Sequence, residues 1–98
     1  MKILALEVER PGARLEQFAP HLRDEAARAY ALYEAGILRE LHFRADRRSA
    51  VLVLECAALA DARAALDSLP LVAAGLIEFE LIPLAPYGGF ARLFAESS

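Results

Sequence analysis

The chain lacks several residue types on which enzyme mechanisms depend. Its 98 residues include no tryptophan, asparagine or threonine, and its serines are only Ser49, Ser68, Ser97 and Ser98. Mechanisms that need an activated threonine, a tryptophan or an asparagine are therefore excluded. No GxGxxG, P-loop, GxSxG or HExxH pattern occurs either. Nucleotide binding and the standard hydrolase signatures consequently have no support.

Cysteine and lysine are each present only once. Cys56 alone cannot form an internal disulfide, which suits a reducing compartment and predicts a cytoplasmic protein. Eleven basic residues face fourteen acidic ones, giving a net charge of −3, so nucleic-acid binding is not expected. No uncharged apolar run approaches the ~18 residues of a membrane span. Glu7 interrupts the first apolar run too early for a signal-peptide core, so no membrane role is expected.

Apolar residues are abundant for so short a chain. They make up 57% of it, against roughly 45–50% in typical globular domains. Ninety-eight residues suffice for one domain, 1–98, which buries only about 60–65% of the surface of its unfolded chain. We therefore expect part of the apolar surface to meet a second copy, giving a homodimer that could assemble further.

Periodicity predicts six main elements. Alternating residues predict strands at 2–9, 37–44, 50–56 and 76–84. Helical spacing predicts helices at 20–35, with an earlier turn at 15–18 left open, and at 58–68. Pro20 suits a first turn, and Gly36 suits the left-handed residue that ends a helix. The first helix should bury Phe18, Leu22, Ala26, Ala29, Tyr30 and Tyr33, and expose Arg23, Asp24, Glu25 and Arg28.

The order β-α-β-β-α-β predicts a ferredoxin-like α+β fold, in which two helices cover one face of a four-stranded antiparallel sheet. Residues 1–84 would form this core, and 85–98 an apolar tail that docks on its own domain or on a partner. On the helix side we expect Leu4, Leu6, Val8, Leu41, Phe43, Leu52, Leu54, Ile77, Phe79 and Leu81. On the open side we expect Ile3, Ala5, Leu38, Val51, Val53, Ile82, Glu7, Glu9, Glu40, His42, Glu55, Glu78 and Glu80.

An open face of this composition is too apolar for water and too acidic for an ordinary core. Two copies stacked into a dimeric barrel would pack the aliphatic residues and line a cavity with carboxylates. Carboxylates in such a cavity should have a raised pKa, as acid–base catalysts need. We take His42, Glu40 and Glu7 as catalytic candidates. The alternative is a solvated or ion-paired strand face.

Other candidate residues carry similar alternatives. Arg39 is predicted to point toward the helices, either as an anion clamp for a carboxylate or as an edge arginine reaching solvent. Tyr87 and Phe90 of the tail could close the pocket and contact substrate. No metal site is expected, because His21 and His42 lie in no ligand-spaced motif. Cys56 is expected to be buried and inert.

Two segments resemble the muconolactone isomerases. One, similar to a Gly-x-x-Arg-x-Leu motif, is Gly36-Ile37-Leu38-Arg39-Glu40-Leu41; the other is Leu69-Pro70-Leu71. The resemblance implies a dimeric α+β barrel and an isomerase that shifts a double bond in a small lactone acid by moving a proton. The sequence departs from the family at Glu40, where a histidine is expected, and in the tail from Ala85 to Phe90.

Two function hypotheses from different classes remain. In the first, the chain is a cofactor-free isomerase or lyase of a small organic acid; Glu40 or His42 abstracts a proton and Glu7 returns it. In the second, it is a non-catalytic dimer that binds a small ligand or only assembles. A closed polar pocket containing Glu40 and His42 would favour the first. An oxygenase is disfavoured, because tryptophan and asparagine are absent.

Overall fold

One four-stranded sheet with helices on one face organises the chain. The computed structural model describes residues 1–95. The elements in order are β1 (Lys2–Glu9), α1 (Leu15–Phe18), a 3-10 turn (Ala19–His21), α2 (Leu22–Glu34), β2 (Leu38–Phe43), β3 (Ala50–Glu55), α3 (Leu59–Asp67), α4 (Pro70–Ala73), β4 (Ile77–Leu84) and a second 3-10 turn (Gly89–Leu93). All strand pairs are antiparallel, in the spatial order β2-β3-β1-β4. The predicted ferredoxin-like α+β fold is confirmed.

Helix ends follow the expected signals, with two differences. The earlier turn left open at 15–18 forms as α1, and the helix predicted at 20–35 begins as a 3-10 turn containing Pro20 before it continues as α2. Gly36 has φ +78°, the left-handed conformation that ends a helix at low steric cost for glycine. Pro70 begins α4, a short helix that the periodicity did not predict, since proline suits a first helical turn.

The predicted facing of β1 is wrong. Ile3 and Ala5 are completely buried on the helix side, whereas Leu4 and Leu6 are half-buried and Val8 is 42% exposed on the open side. Both sides of this strand are apolar near its start, so alternation alone does not choose the buried side. The register decides, because Ile3 pairs with the fully buried Leu54 and lies on the same sheet face.

A bulge in β2 overturns the predicted facing of Leu38. The pairing with β3 moves two residues along β2, from Leu38 to Glu40, while it moves one residue along β3, from Leu54 to Val53. The extra residue is Arg39, and the change of phase lets Leu38 and Leu41 lie on the same, helix-facing side. Leu38 is fully buried as a result.

The predicted buried stripe of α2 is wrong in part. Leu32 is 3% exposed, whereas Tyr30 and Tyr33 are 61% and 52% exposed. A tyrosine can cover apolar surface with its ring edge while its hydroxyl stays in water, but Leu32 has no polar atom to hydrate. On α3, Ala62 and Leu66 are buried.

The hydrophobic core therefore lies between the helices and one sheet face. It consists of Ile3, Ala5, Leu32, Leu38, Leu52, Leu54, Ala62, Ala65, Leu66, Leu69, Leu71, Leu76, Ile77 and Phe79. Cys56, expected to be buried, is only partly so, and burial raises the pKa of its thiol. Within residues 1–95, no helix is long and apolar enough to cross a bilayer.

The described part of the tail, up to residue 95, extends away from the domain. Tyr87, Phe90, Leu93 and Phe94 are 68–83% exposed. The molecule measures 63 × 29 × 21 Å and its radius of gyration is 16.8 Å, against about 13 Å for a compact domain of this length. Docking on its own domain is therefore not seen over the described residues. The last three residues of the predicted 85–98 tail lie outside the described range.

Candidate functional site

A cleft opens between the helical layer and the sheet. It has a volume of about 780 Å³, within the 300–1,000 Å³ usual for small-molecule sites. Helices α1 and α2 form one wall, and strands β1, β2 and β3 form the other. Most lining side chains are apolar; the polar and charged ones are Glu7, Glu9, Glu25, His42 and Arg48.

Glu7 enters the cleft from β1. Its position follows from the facing of Ile3 and Ala5, since alternate residues of a strand share a side. The β1–β3 pairing ends at Leu6 and Val51, and the Ala50 N–H beyond that pair donates to Glu7 Oε1 at 3.2 Å. The strand end thus supplies a backbone donor that holds one oxygen of this half-buried carboxylate.

Glu25 enters the same cleft from α2. The sequence pattern predicted an outward-facing residue, but the side chain is half-buried. The reason lies in α4: the Leu71 N–H in its first turn has no partner within that helix and donates to Glu25 Oε1 at 2.9 Å. Glu25 therefore ties α2 to α4 through one oxygen.

Burial alters the acidity of both carboxyl groups. Desolvation raises the pKa of Glu7; the hydrogen bond from Ala50 opposes the shift, and the nearby charges of Glu9 and Glu25 add to it. Desolvation also raises the pKa of Glu25, opposed by the Leu71 hydrogen bond and by His21. Both groups therefore hold a proton more readily than a carboxyl group in water, which suits acid–base work.

A single arginine lines the cleft beside an aromatic ring. Arg48 places its guanidinium carbon 4.8 Å from the centre of the Phe43 ring, a cation–π contact. Its neighbour Arg44 donates two hydrogen bonds to Asp46, at 2.8 and 2.6 Å. Arg48 forms no ion pair with any residue of the range 1–95, which leaves its charge free to attract an anion.

The predicted catalytic residues divide between the two faces of the sheet. His42 and Glu40 lie together on β2, with His42 Nε2 3.2 Å from Glu40 Oε1, and both side chains are more than half exposed. His42 also reaches the rim of the cleft, whereas Glu40 does not line it. Glu7 and Glu9 were predicted on the open face and lie on the helix side instead. The pocket is thus apolar and open and contains His42 without Glu40, so it is not the closed polar pocket that would have favoured the isomerase hypothesis.

The predicted substrate-binding residues lie outside the cleft of their own chain. Arg39, the bulged residue, donates from Nε to the Gly36 carbonyl oxygen at 2.6 Å and so holds the end of α2. Tyr87 and Phe90 stack edge to face in the tail, with ring centres 5.0 Å apart. Sequence reasoning missed Glu25, Phe43 and Arg48 as cleft residues. The small side chains of Ala26 and Ala29, close to Glu25 in the sequence, were the one signal that this side of α2 lies near the sheet.

No cluster of three or more histidine, cysteine, aspartate or glutamate side chains that could hold a metal ion occurs among residues 1–95. The carboxylates of the cleft come closest in type. Glu7 and Glu25 each use one oxygen on a backbone amide. The ionisable groups inside the cleft are carboxylates and a guanidinium, and the imidazole of His42 stands at its rim.

The fold has a counterpart among solved structures. No protein-family model matches the chain, and neither does any curated protein. The chain resembles 5-chloro-2-hydroxyhydroquinone dehydrochlorinase from Burkholderia phenoliruptrix AC1100, solved in complex with 2,5-dihydroxybenzoquinone. The TM-score is 0.67 with 16% sequence identity, over 87% of this chain and 94% of that chain. At this identity, the likeness shows a common fold over most of both chains.

Proposed function

We propose that this protein is a cofactor-free enzyme that moves a proton within a small organic acid or lactone, and that Glu7 is its base. One observation carries the proposal: a half-buried carboxylate, held by the Ala50 N–H through one oxygen, faces an apolar cleft of about 780 Å³. A base positioned in an apolar cleft, with its pKa raised by burial, is suited to removing a proton next to a carbonyl.

The reaction needs no change of redox state. Glu7 takes a proton from a carbon next to the carbonyl, and the electron pair of that C–H bond moves into the conjugated system to give an enolate. Return of a proton at another carbon moves the double bond. Arg48 would hold a negatively charged group at the mouth of the cleft, the role predicted for Arg39. His42 at the rim, with Glu40 hydrogen-bonded to it, would shuttle protons.

Two comparisons support the choice of chemistry. The structural neighbour is, by its name, a dehydrochlorinase of 5-chloro-2-hydroxyhydroquinone, a small hydroxylated aromatic compound. The segment 36–41 resembles the muconolactone isomerase motif and favours an isomerase over other reactions. A small-molecule transformation in this cleft is therefore our first choice.

We further propose that two copies pair through their open sheet faces. Leu4, Leu6, Val51, Val53 and Ile82 lie there with Val8, and the helices all pack on the opposite side. The chain exposes 6992 Å², about 1,500 Å² more than a typical monomer of 10.7 kDa. A standard interface buries about 800 Å² per partner, so the excess is enough for a dimer and for a docked tail.

The tail would complete the cleft of a second copy. Leu15, Leu22 and Phe43 leave apolar surface at the cleft rim, between 51% and 84% exposed. Tyr87 and Phe90 carry a matching apolar pair and do not cover their own domain. Arg92 is the only charged residue in 85–95. Its positive charge complements the net negative charge of a cleft that three glutamates and one arginine line.

A proton-exchange screen tests the function. Lactone and enol acids would be incubated in D₂O and followed by NMR with the parent chain. We expect at least one to exchange faster than in buffer, and Glu7→Gln to slow that exchange by about 10²-fold or more. Glu34→Gln, at the exposed end of α2, should leave the rate unchanged.

The same screen separates the second candidate function. His42→Ala and Glu40→Gln show whether the rim pair contributes to the rate. An acid that shifts the NMR signals of cleft residues without exchanging its own protons would indicate a ligand-binding dimer. No exchange above buffer with any acid would overturn the enzyme proposal.

A further inference from the structure

Two carboxylates approach the cleft from opposite walls. Glu7 comes from the sheet, through β1, and Glu25 comes from the helical layer, through α2. Each presents Oε1 to one backbone amide, of Ala50 or Leu71. Within residues 1–95 neither Oε2 takes part in a hydrogen bond or ion pair, so each carboxylate keeps one oxygen for a ligand. A flat molecule lying between the walls would meet one carboxylate on each face.

We infer that Glu25 is the second catalytic residue, so that the cleft acts on a planar enolisable substrate from both faces in a two-base proton shift. This rests on the proposed function. Glu7, as the carboxylate, accepts the proton from one face, and the C–H electron pair enters the conjugated system. Glu25, as the carboxylic acid, donates its proton to the opposite face of the same or a conjugated carbon. The product is an isomer, and the two glutamates exchange protonation states, which solvent then resets.

The surroundings allow Glu25 to serve as the acid. A carboxyl group must hold its proton until the enolate forms, and half-burial in an apolar cleft favours the neutral form. The charged groups near it are His21, which favours ionisation, and Glu7, which opposes it. The Leu71 N–H fixes the carboxyl group without consuming both oxygens.

A structural role is the competing explanation, because the same hydrogen bond joins α2 to α4. Glu25→Gln distinguishes the two roles. The amide oxygen can still accept from the Leu71 N–H, so folding is preserved, while the group can no longer exchange a proton. Glu34→Gln is the matched control on the same helix, at an exposed position.

The first test uses no substrate. Carboxyl ¹³C NMR would follow the titration of Glu25 in the parent, in Glu7→Gln and in Glu34→Gln. We expect the pKa of Glu25 to fall in Glu7→Gln, because the neighbouring negative charge of the Glu7 carboxylate is gone, and to stay unchanged in Glu34→Gln. An unchanged pKa in both variants would overturn the pairing, whether or not the protein is an enzyme.

The second test uses the acid that exchanges fastest in the screen. In D₂O, Glu25→Gln should still exchange the proton removed by Glu7, but should form product about 10²-fold more slowly than the parent. Product formed by the parent should carry deuterium, because Glu25 donates a deuteron taken from solvent and not the proton that Glu7 removed. Full product formation by Glu25→Gln, or direct carry-over of the substrate proton, would overturn the two-base mechanism and leave Glu7 as a single base.

Discussion

Replacing Leu6 by lysine tests the pairing of open sheet faces most directly. Leu6 is half-buried on that face and lies directly opposite Glu80 of β4. In a single chain, the new ammonium group can pair with Glu80, a cross-strand contact that stabilises by about 0.2–1 kcal/mol. The monomer should therefore stay folded, with an unchanged far-UV circular dichroism spectrum.

The dimer should respond very differently. Two-fold symmetry buries the substitution twice, and each buried Lys–Glu pair costs about 1–4 kcal/mol relative to the well-packed apolar side chain that it replaces. A total of only about 4 kcal/mol already weakens the dissociation constant about a thousandfold. Leu6→Lys should therefore sediment as a 10.7 kDa chain at concentrations where the parent has twice that mass.

Val8→Lys is the matched control. Val8 lies on the same face opposite Glu78, but at the end of the strand and already 42% exposed. We expect its dissociation constant to change less than about tenfold, because the ammonium group can remain hydrated. A parent that sediments as a monomer, or a Leu6→Lys variant that keeps the dimer mass over the whole concentration series, would refute the argument.

The remaining predictions concern stability. In the monomeric Leu6→Lys background, urea titrations should show that Leu54→Ala lowers the free energy of unfolding by about 3–5 kcal/mol and that Val53→Ala lowers it by much less. The reason is that Leu54 is fully buried on the helix side and Val53 is not. Equal losses would contradict this assignment of the two sides of β3. Gly36→Ala should lower the free energy of unfolding by about 1–2 kcal/mol, because an alanine is strained at φ +78°. Steric overlap adds nothing, since the new Cβ meets only Arg39 Nη2, at 3.9 Å. An unchanged melting temperature would refute the backbone strain. The raised pKa of Glu7 and of Glu25 means that the folded state binds more protons than the unfolded chain, so stability should fall as pH rises from about 4.5 through the folded values. Glu7→Gln and Glu25→Gln should each flatten this slope, and an unchanged slope in both would show that these groups are not desolvated.

Local signals in the sequence determined the order of elements and several of their ends. Gly36, followed by an alternating run, marks the end of α2 because left-handed backbone favours glycine. In β3 the buried Leu52 and Leu54 alternate with the half-buried Val51 and Val53, and the side that is buried was predicted correctly. The order βαββαβ then restricts the topology, since right-handed crossovers place both helices on one face.

Tertiary structure alone decided where the candidate site lies. Near the start of β1 both sides are apolar, so only its pairing with β3 and β4 turns Glu7 toward the helices. Glu25 looked like an exposed helix residue, and what draws it inward is the free Leu71 amide of α4, 46 residues later in the chain. Side-chain periodicity reports which residues share a side of one element, but contact between elements selects which side is buried and which donors a carboxylate meets there.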